Sequence, residues 1–269
     1  QHEKLRQHSD WSGLFLFKEY CILIASWRNV FDITTLQALS PMVEGFEILE
    51  ILFQSKSTSI YRAVRCEGAQ KFILKVLPAD VSPLFGQQRF YKEYSICKQL
   101  SSKSKHILAP VQFIRSQGTA AVVWPDLSLI SLLDYKKKYT ISIEHFCILA
   151  KQMVQALHEV HSAGIIHRDI STSNFLINPE TKHVYICDFE GSTYWREHEE
   201  NALPAKTGYP TCGTYQYMSP EHTGKLSLGI DFRSDIYSLG NVFYELLTGA
   251  TPLSGIRSRL GILFAQVAI

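Results

Sequence analysis

The sequence predicts an α+β protein of two lobes, in which a small β-rich lobe precedes a larger helical lobe. Three short runs rich in Ile, Phe, Leu and Val occupy residues 46–53, 59–66 and 71–76, and only four or five residues separate one run from the next. Short linkers between such runs are typical of antiparallel strands that follow one another in a sheet. After Asp126 the apolar residues instead recur at three- and four-residue steps, which is the spacing of amphipathic helices.

Further elements of the first lobe follow its third strand. A helical pattern covers residues 90–97, and apolar runs near 111–115 and 120–124 predict two more strands. No internal repeat or low-complexity tract interrupts this order.

The second lobe is expected to contain two long helices. The first carries apolar residues from Ile143 onwards and stops at Gly164. The second is expected to be capped by Ser234 and to end at Gly249 and Pro252, because glycine and proline commonly follow a helix.

These patterns divide the chain into three segments. Residues 1–45 carry no motif and are expected to be an extension, residues 46–127 the β-rich lobe, and residues 128–269 the helical lobe. Because little sequence follows the last predicted helix, we expect a truncated helical lobe with exposed apolar surface.

Composition excludes several classes of protein. Hydrophobic residues make up 46% and charged residues 19% of the 269 residues, and the net charge is +2, so nothing indicates a nucleic-acid-binding stripe. The apolar run at residues 21–27 is far too short to cross a membrane. The six cysteines include no C-x-x-C pair, and we expect reduced, mostly buried thiols in a cytoplasmic protein.

The strongest chemical signal lies at residues 167–174, His-Arg-Asp-Ile-Ser-Thr-Ser-Asn. This run has the spacing H-R-D-x-x-x-x-N of a phosphotransfer loop and lies between a predicted helix and a short apolar run. Asp169 would orient a substrate hydroxyl and accept its proton, and Asn174 would bind Mg²⁺.

Phosphoryl transfer also needs groups that hold phosphates and metal. Lys75 lies in the third apolar strand, where a charge is costly unless it is paired. Glu93 on the following predicted helix is its expected partner. Asp188 follows another apolar strand and is the candidate for a metal carboxylate.

Two further runs complete the set. Residues 213–221, Gly-Thr-Tyr-Gln-Tyr-Met-Ser-Pro-Glu, resemble the G-T-x-x-Y-M-[AS]-P-E segment of serine/threonine kinases, and residues 235–240 resemble the D-x-x-S-L-G helix whose Asp anchors the catalytic loop. Together the motifs resemble the protein kinase superfamily over about residues 46–252. The resemblance implies a bilobal protein-kinase-like fold, ATP, Mg²⁺ and a protein substrate. It also implies nucleotide contacts at positions Ser55, Lys56, Ile60, Ile73 and Leu176.

A closer resemblance concerns residues 217–225 and 230–235. They are similar to Y-M-S-P-E-Q-T-G-R and I-D-Y-R-S-D in the kinase-like domain that opens multi-sensor hybrid histidine kinases. This resemblance implies a module of a longer signalling protein with attached sensor or histidine-kinase domains.

Three departures from the family pattern bear on activity. Residues 53–60 align with the glycine-rich phosphate loop but contain no glycine, the residue that lets backbone amides approach phosphates closely. Ser171 stands where serine/threonine kinases have a lysine, and Glu190 replaces the glycine of D-F-G. A second carboxylate beside Asp188 would either recruit metal or repel the phosphates.

The sequence therefore leaves three functions open. The leading one is ATP-dependent phosphorylation of protein serine or threonine. The departures favour a pseudokinase that binds nucleotide or partners and regulates attached domains. Small-molecule phosphotransferases share the spacing of Asp169 and Asn174, but residues 213–221 argue against them.

Overall fold

A computed structural model describes most of the chain between residues 43 and 268. The described residues are 43, 45–55, 57–77, 83–116, 119–195, 213–223 and 229–268. Nearly all of the predicted extension at residues 1–45 therefore lies outside them.

The β-rich part is a five-stranded antiparallel sheet. Its strands are β1 (Phe46–Gln54), β2 (Ser59–Arg65), β3 (Lys71–Val76), β4 (Gln112–Ser116) and β5 (Thr119–Pro125), in the order β1-β2-β3-β5-β4. The predicted meander of the first three strands is confirmed, as are the two later strands.

The two faces of this sheet have different roles. Phe72, Leu74 and Val76 of β3 face a core that the sheet builds for itself with residues of β1, β2 and β5. Successive side chains of a strand point to opposite faces, so Ile73 and Lys75 lie on the other face. Lys75 is thus directed away from the sheet's own core.

Helix α1 (Pro83–Ser101) packs against the face that carries Lys75. Phe90 of the helix lies in a buried cluster with Leu77, Ala120 and Val122. This packing brings Glu93, one turn further along α1, over β3.

The helical part has its own, larger core. Its helices are α2 (Leu132–Lys138), α3 (Ile143–Ser162), α4 (Phe232–Thr248) and α5 (Arg259–Ala268). Leu149, Met153 and Val160 of α3 are fully buried in a cluster that also includes Leu239 and Val242 of α4. The predicted stops are confirmed, since Gly164 and Gly249 both adopt the left-handed conformation that follows a helix end.

Short strands lie between these helices and hold the loops of the site. A three-stranded sheet contains β6 (Ile130–Ser131), β8 (Phe175–Ile177) and β9 (Val184–Ile186), and β7 (Ile165–Ile166) pairs with β10 (Thr193–Tyr194). Single 3₁₀ turns cover Phe189–Gly191 and Pro220–Thr223.

The prediction that Ser234 caps a helix is wrong. The N-cap of α4 is Asp231, whose side chain accepts a hydrogen bond from the backbone N–H of Arg233 at 2.7 Å. Ser234 lies within the first turn, fully buried, and its hydroxyl donates to Glu221. Both serine and aspartate favour N-caps, so the residue types alone do not distinguish Ser234 from Asp231, three residues earlier.

The prediction of mostly buried cysteines is also only half right. Among the described residues, Cys97 is buried and Cys187 half-buried, whereas Cys66 and Cys147 are exposed. All four are free thiols. Cys21 and Cys212 lie outside the described residues. Within the described part of the chain, no helix has the length and apolar character needed to cross a membrane.

Candidate active site

The loop at residues 167–174 is held from below by a buried carboxylate. Asp235 of α4, 1% exposed, accepts hydrogen bonds from the backbone N–H groups of His167 and Arg168, both at 2.8 Å. His161 of α3 lies 2.9 Å from the same carboxylate through Nε2. These contacts hold Arg168 at a φ of 69°, a left-handed conformation that costs energy for a residue with a side chain.

Asp169 and Asn174 are brought together within this loop. The Asn174 side chain donates from Nδ2 to the backbone oxygen of Asp169 at 2.8 Å. The side-chain oxygen of Asn174 takes no part in that bond. The Asp169 carboxylate accepts from the backbone N–H of Thr214 at 2.9 Å and from its hydroxyl at 3.0 Å. Thr214 thus lies beside Asp169.

Close approach of this second segment depends on Gly213. Its φ is 120°, and a Cβ at that position would lie only 3.0 Å from the backbone oxygen of Arg168. Any larger residue would push Thr214 away from Asp169.

Lys75 lies at the centre of a cluster of carboxylates. Its ammonium contacts Glu93 Oε2 and Asp188 Oδ1, each at 2.8 Å, and Glu190 Oε1 at 3.2 Å. Lys75 and Glu93 are buried, at 8% and 2% exposure. The expected Lys75–Glu93 pair is therefore formed, and Asp188 joins it.

Burial and charge act in opposite directions on this cluster. Burial lowers the pKa of Lys75, but the surrounding carboxylates outweigh it and hold that pKa well above its ordinary value. Burial raises the pKa of Glu93 to about 7, although Lys75 opposes the shift. For Asp188 the attraction of Lys75 outweighs burial and lowers the pKa. Lys75 therefore stays charged, and Asp188 stays ionised.

Asp188 and Asn174, the two predicted metal ligands, come from segments that a backbone hydrogen bond joins. The backbone N–H of Cys187 donates to the Asn174 backbone oxygen at 2.9 Å, and His167 Nε2 lies 3.0 Å from the Cys187 oxygen. Carboxylate and amide oxygens are the ligands that Mg²⁺ prefers, and the Asp188 side chain is 40% exposed. The residues therefore fit a magnesium ion.

The turn that joins β1 to β2 binds its own backbone. Ser55 Oγ accepts hydrogen bonds from the backbone N–H groups of Ser57 at 3.2 Å and Thr58 at 3.1 Å. None of the described residues of this turn has a positive φ. Lys56, predicted to contact nucleotide, lies outside the described residues.

The remaining predicted nucleotide contacts are half-buried. Ile60 pairs in register with Lys75, and Ile73 precedes Lys75 by two residues on the same strand, so both lie on the Lys75 face of the sheet. Leu176 lies on β8, two residues after Asn174 in the chain and next to the buried Ile177.

Two groups of residues escaped sequence reasoning. The hydroxyl of Tyr217 lies 2.9 Å from Thr172 Oγ1 and also donates to Glu245, which pairs with Lys136 at 2.6 Å. These contacts join the catalytic loop to α2 and α4 through buried polar groups. No sequence pattern marks them, because their members are scattered along the chain.

A single residue on α5 also has a role that the sequence does not indicate. Gln266, 1% exposed, donates from Nε2 to the backbone oxygens of Tyr215 at 2.6 Å and Met218 at 2.7 Å. Helix α5 therefore braces residues 213–221, whose likeness to the G-T-x-x-Y-M-[AS]-P-E segment of serine/threonine kinases implies a substrate platform.

Comparison with known families decides the classification. The family model for the protein kinase domain matches residues 46–263. The chain belongs to the protein kinase family.

Curated relatives of this kinase domain carry serine/threonine-kinase names. It is 30% identical over 224 residues to the serine/threonine-protein kinase PLK4 of Aedes aegypti, covering 81% of the chain and 28% of that relative. It is also 30% identical over 215 residues to the DNA damage-responsive serine/threonine-protein kinase RqkA of Deinococcus radiodurans, covering 78% of the chain and 30% of that relative. The chain thus spans less than a third of the length of either relative.

In this kinase domain, Ser171 stands where the family pattern has a lysine but does not supply that lysine's positive charge. The Ser171 side chain is fully buried, and its hydroxyl has no hydrogen-bond partner in the described part of the chain. A buried serine cannot bring a cation to a transferred phosphate.

Proposed function

We propose that this kinase domain transfers the γ-phosphate of ATP to serine or threonine hydroxyls of proteins, with Mg²⁺ as cofactor. The observation that carries the proposal is the buried Lys75–Glu93 pair, which contacts Asp188 at 2.8 Å through the same ammonium. Phosphoryl transfer depends on positioning and charge neutralisation. A lysine that is both held and charged supplies these two requirements.

Each predicted residue has a proposed part in that reaction. Lys75, oriented by Glu93, binds the phosphates of the nucleotide. Asp188 and the side-chain oxygen of Asn174 would hold Mg²⁺, which supplies charge neutralisation when it is bound. Asp169 orients the substrate hydroxyl and accepts its proton.

The remaining contacts are proposed for the nucleotide. Ile60, Ile73 and Leu176 supply apolar surface for its base, and Ser55 and Lys56 are the proposed contacts to its phosphates. The support is the register of the sheet, which places Ile60 and Ile73 on the face that carries Lys75.

The context of the domain is also a proposal. Support for a serine or threonine acceptor comes from the serine/threonine-kinase names of the relatives and from the Thr214 contact with Asp169. We propose a lobe of residues 46–127 and a lobe of residues 128–269 in a cytoplasmic signalling protein. Sensor or histidine-kinase domains attached to a longer chain fit the likeness of residues 217–225 to hybrid histidine kinases.

A specific observation favours a pseudokinase as the second candidate. Ser55 Oγ binds the turn amides that would otherwise be available to phosphates, and Lys75 already has three carboxylate neighbours. Such a domain would bind nucleotide or partners and regulate its neighbours without efficient turnover.

Transfer of radiolabelled phosphate from ATP to a mixture of protein substrates tests the proposal. We expect transfer that requires Mg²⁺ and is lost in Asp169→Ala. The proposal would be refuted if neither the wild type nor Asp169→Ala transferred phosphate. ATP binding measured with and without Mg²⁺ then identifies the rival, because metal-independent or absent binding is the signature of a pseudokinase.

A further inference from the structure

Glu190 joins three elements of the site. One of its carboxylate oxygens lies 3.2 Å from the ammonium of Lys75 on β3, and the other pairs with the guanidinium of Arg89 on α1. The Glu190 side chain is only 12% exposed, whereas that of Arg89 is 57% exposed. Arg89 lies four residues before Glu93, on the same face of α1. Glu190 thus adds a second link between α1 and Lys75.

A neighbouring contact strengthens this link. Lys92 Nζ of α1 donates to the backbone oxygen of Ser192 at 2.6 Å. Helix α1 therefore holds both Glu190 and Ser192, at either side of Gly191, and fixes the short 3₁₀ turn that follows Asp188.

This turn needs support because of the conformation of Asp188. Its φ and ψ are 66° and 68°, in the left-handed region that residues with a side chain rarely adopt. In the D-F-G pattern a glycine stands two residues after the aspartate. Here Glu190 stands at that position, and its charged side chain ties the turn to α1. Conformations of this kind persist only when surrounding contacts hold them.

We propose that Glu190 is a positioning residue, which holds Asp188 in its metal-binding conformation by tying the following turn to α1 through Arg89. The inference rests on the proposed phosphotransfer. Glu93, Asp188 and Glu190 also lie close enough together to hold a metal ion. A ligand role would, however, draw Glu190 away from the Arg89 guanidinium that ties the turn to α1.

The same carboxylate has an opposite effect on the nucleotide. It adds negative charge beside the ammonium that is proposed to bind phosphates, and like charges at this range repel. Arg89 offsets that charge. Glu190 therefore raises turnover through geometry while it weakens nucleotide affinity through charge, and Arg89 supports both turnover and affinity.

Two variants, each of which removes one charge, separate the effect on turnover from the effect on nucleotide affinity in the purified protein. Glu190→Gln is expected to lower kcat about three- to tenfold, since the ion pairs it breaks are partly exposed. At saturating Mg²⁺, where the metal site is filled in both proteins, it is expected to lower the Kd for MgATP about two- to fivefold. Arg89→Gln is expected to lower kcat by a similar factor but to raise that Kd. The double variant should have the kcat of either single variant, because both changes remove one shared contact.

Arg233→Gln is the matched control, because Arg233 is exposed and pairs only locally with Asp231; it should change neither constant. Values of kcat within twofold of an active wild type in both Arg89 and Glu190 variants would overturn this inference and leave the proposed function standing. MgATP affinities that move in the same direction in the two variants would also overturn it. An inactive wild type would overturn the proposed function, and the turnover part of this inference with it.

Discussion

Replacing Asp235 by asparagine tests how the catalytic loop is held. The Asp235 carboxylate is buried and accepts two backbone N–H bonds at 2.8 Å, from His167 and Arg168. Asparagine keeps the shape but has one acceptor oxygen, so one of these buried donors would face an NH₂ group. A hydrogen bond to a charged group contributes about 1.5–3 kcal/mol, and a buried unpaired donor costs about 1–3 kcal/mol. We therefore expect Asp235→Asn to lower the free energy of unfolding by about 3 kcal/mol.

The same change should slow turnover. If the loop conformation alone bore a cost of about 3 kcal/mol, kcat would fall about a hundredfold, because 1.36 kcal/mol corresponds to a factor of ten. Since the cost is shared with global stability, the expected fall lies between about ten- and a hundredfold. Urea unfolding measures the first quantity and steady-state phosphotransfer the second.

Asp231→Asn is the control for Asp235→Asn. Asp231 caps the same helix, and asparagine caps as well as aspartate, so the expected change in stability is under about 0.5 kcal/mol. If Asp235→Asn matched this control in both stability and kcat, the reasoning about the buried carboxylate would be refuted.

Three other changes test separate parts of the site. Ser55→Ala should release two turn amides and lower the Kd for MgATP, and an unchanged or raised Kd in an equilibrium titration would contradict this role. Gln266→Leu leaves two carbonyl oxygens of residues 213–223 without their donor. It should cost about 2–3 kcal/mol in urea unfolding and raise the KM for peptide but not for ATP; equal rises in both KM values would count against a platform role. Burial raises the pKa of Glu93 in the folded protein to about 7, above the ordinary glutamate value of 4.5. The stability that Glu93 contributes is therefore lost as pH rises from 4.5 through 7. The stability of the wild type relative to Glu93→Gln should therefore fall on the order of 2–3 kcal/mol over that range, and a pH-independent difference would contradict the shift.

The β-rich part was predictable because its signals are local. Alternating apolar runs with short linkers determine both strand positions and antiparallel order, and the strands Ser59–Arg65 and Lys71–Val76 lie where the pattern placed them. The pairing of Lys75 with Glu93 was predictable only because the order of motifs resembled a known family.

Contacts between distant segments were not predictable in this way. Arg89 and Glu190 are 101 positions apart in the chain, and nothing in the local sequence of either indicates the other. Sequence reasoning could mark Glu190 as a departure but not say which charge it faces. Helix α5 escaped prediction, and its Gln266 is buried only because α5 packs on the 3₁₀ turn Pro220–Thr223.

The most direct test of the central claim is the stoichiometry of phosphoserine and phosphothreonine formed on a protein substrate, measured by mass spectrometry with MgATP. Asp169→Asn keeps an oxygen for the Thr214 contacts but removes the carboxylate that would accept the hydroxyl proton. We predict that the wild type forms both or either phosphoamino acid and that Asp169→Asn lowers the rate by at least about a hundredfold. Equal rates in the two proteins, or no phosphoamino acid from the wild type, would contradict the account.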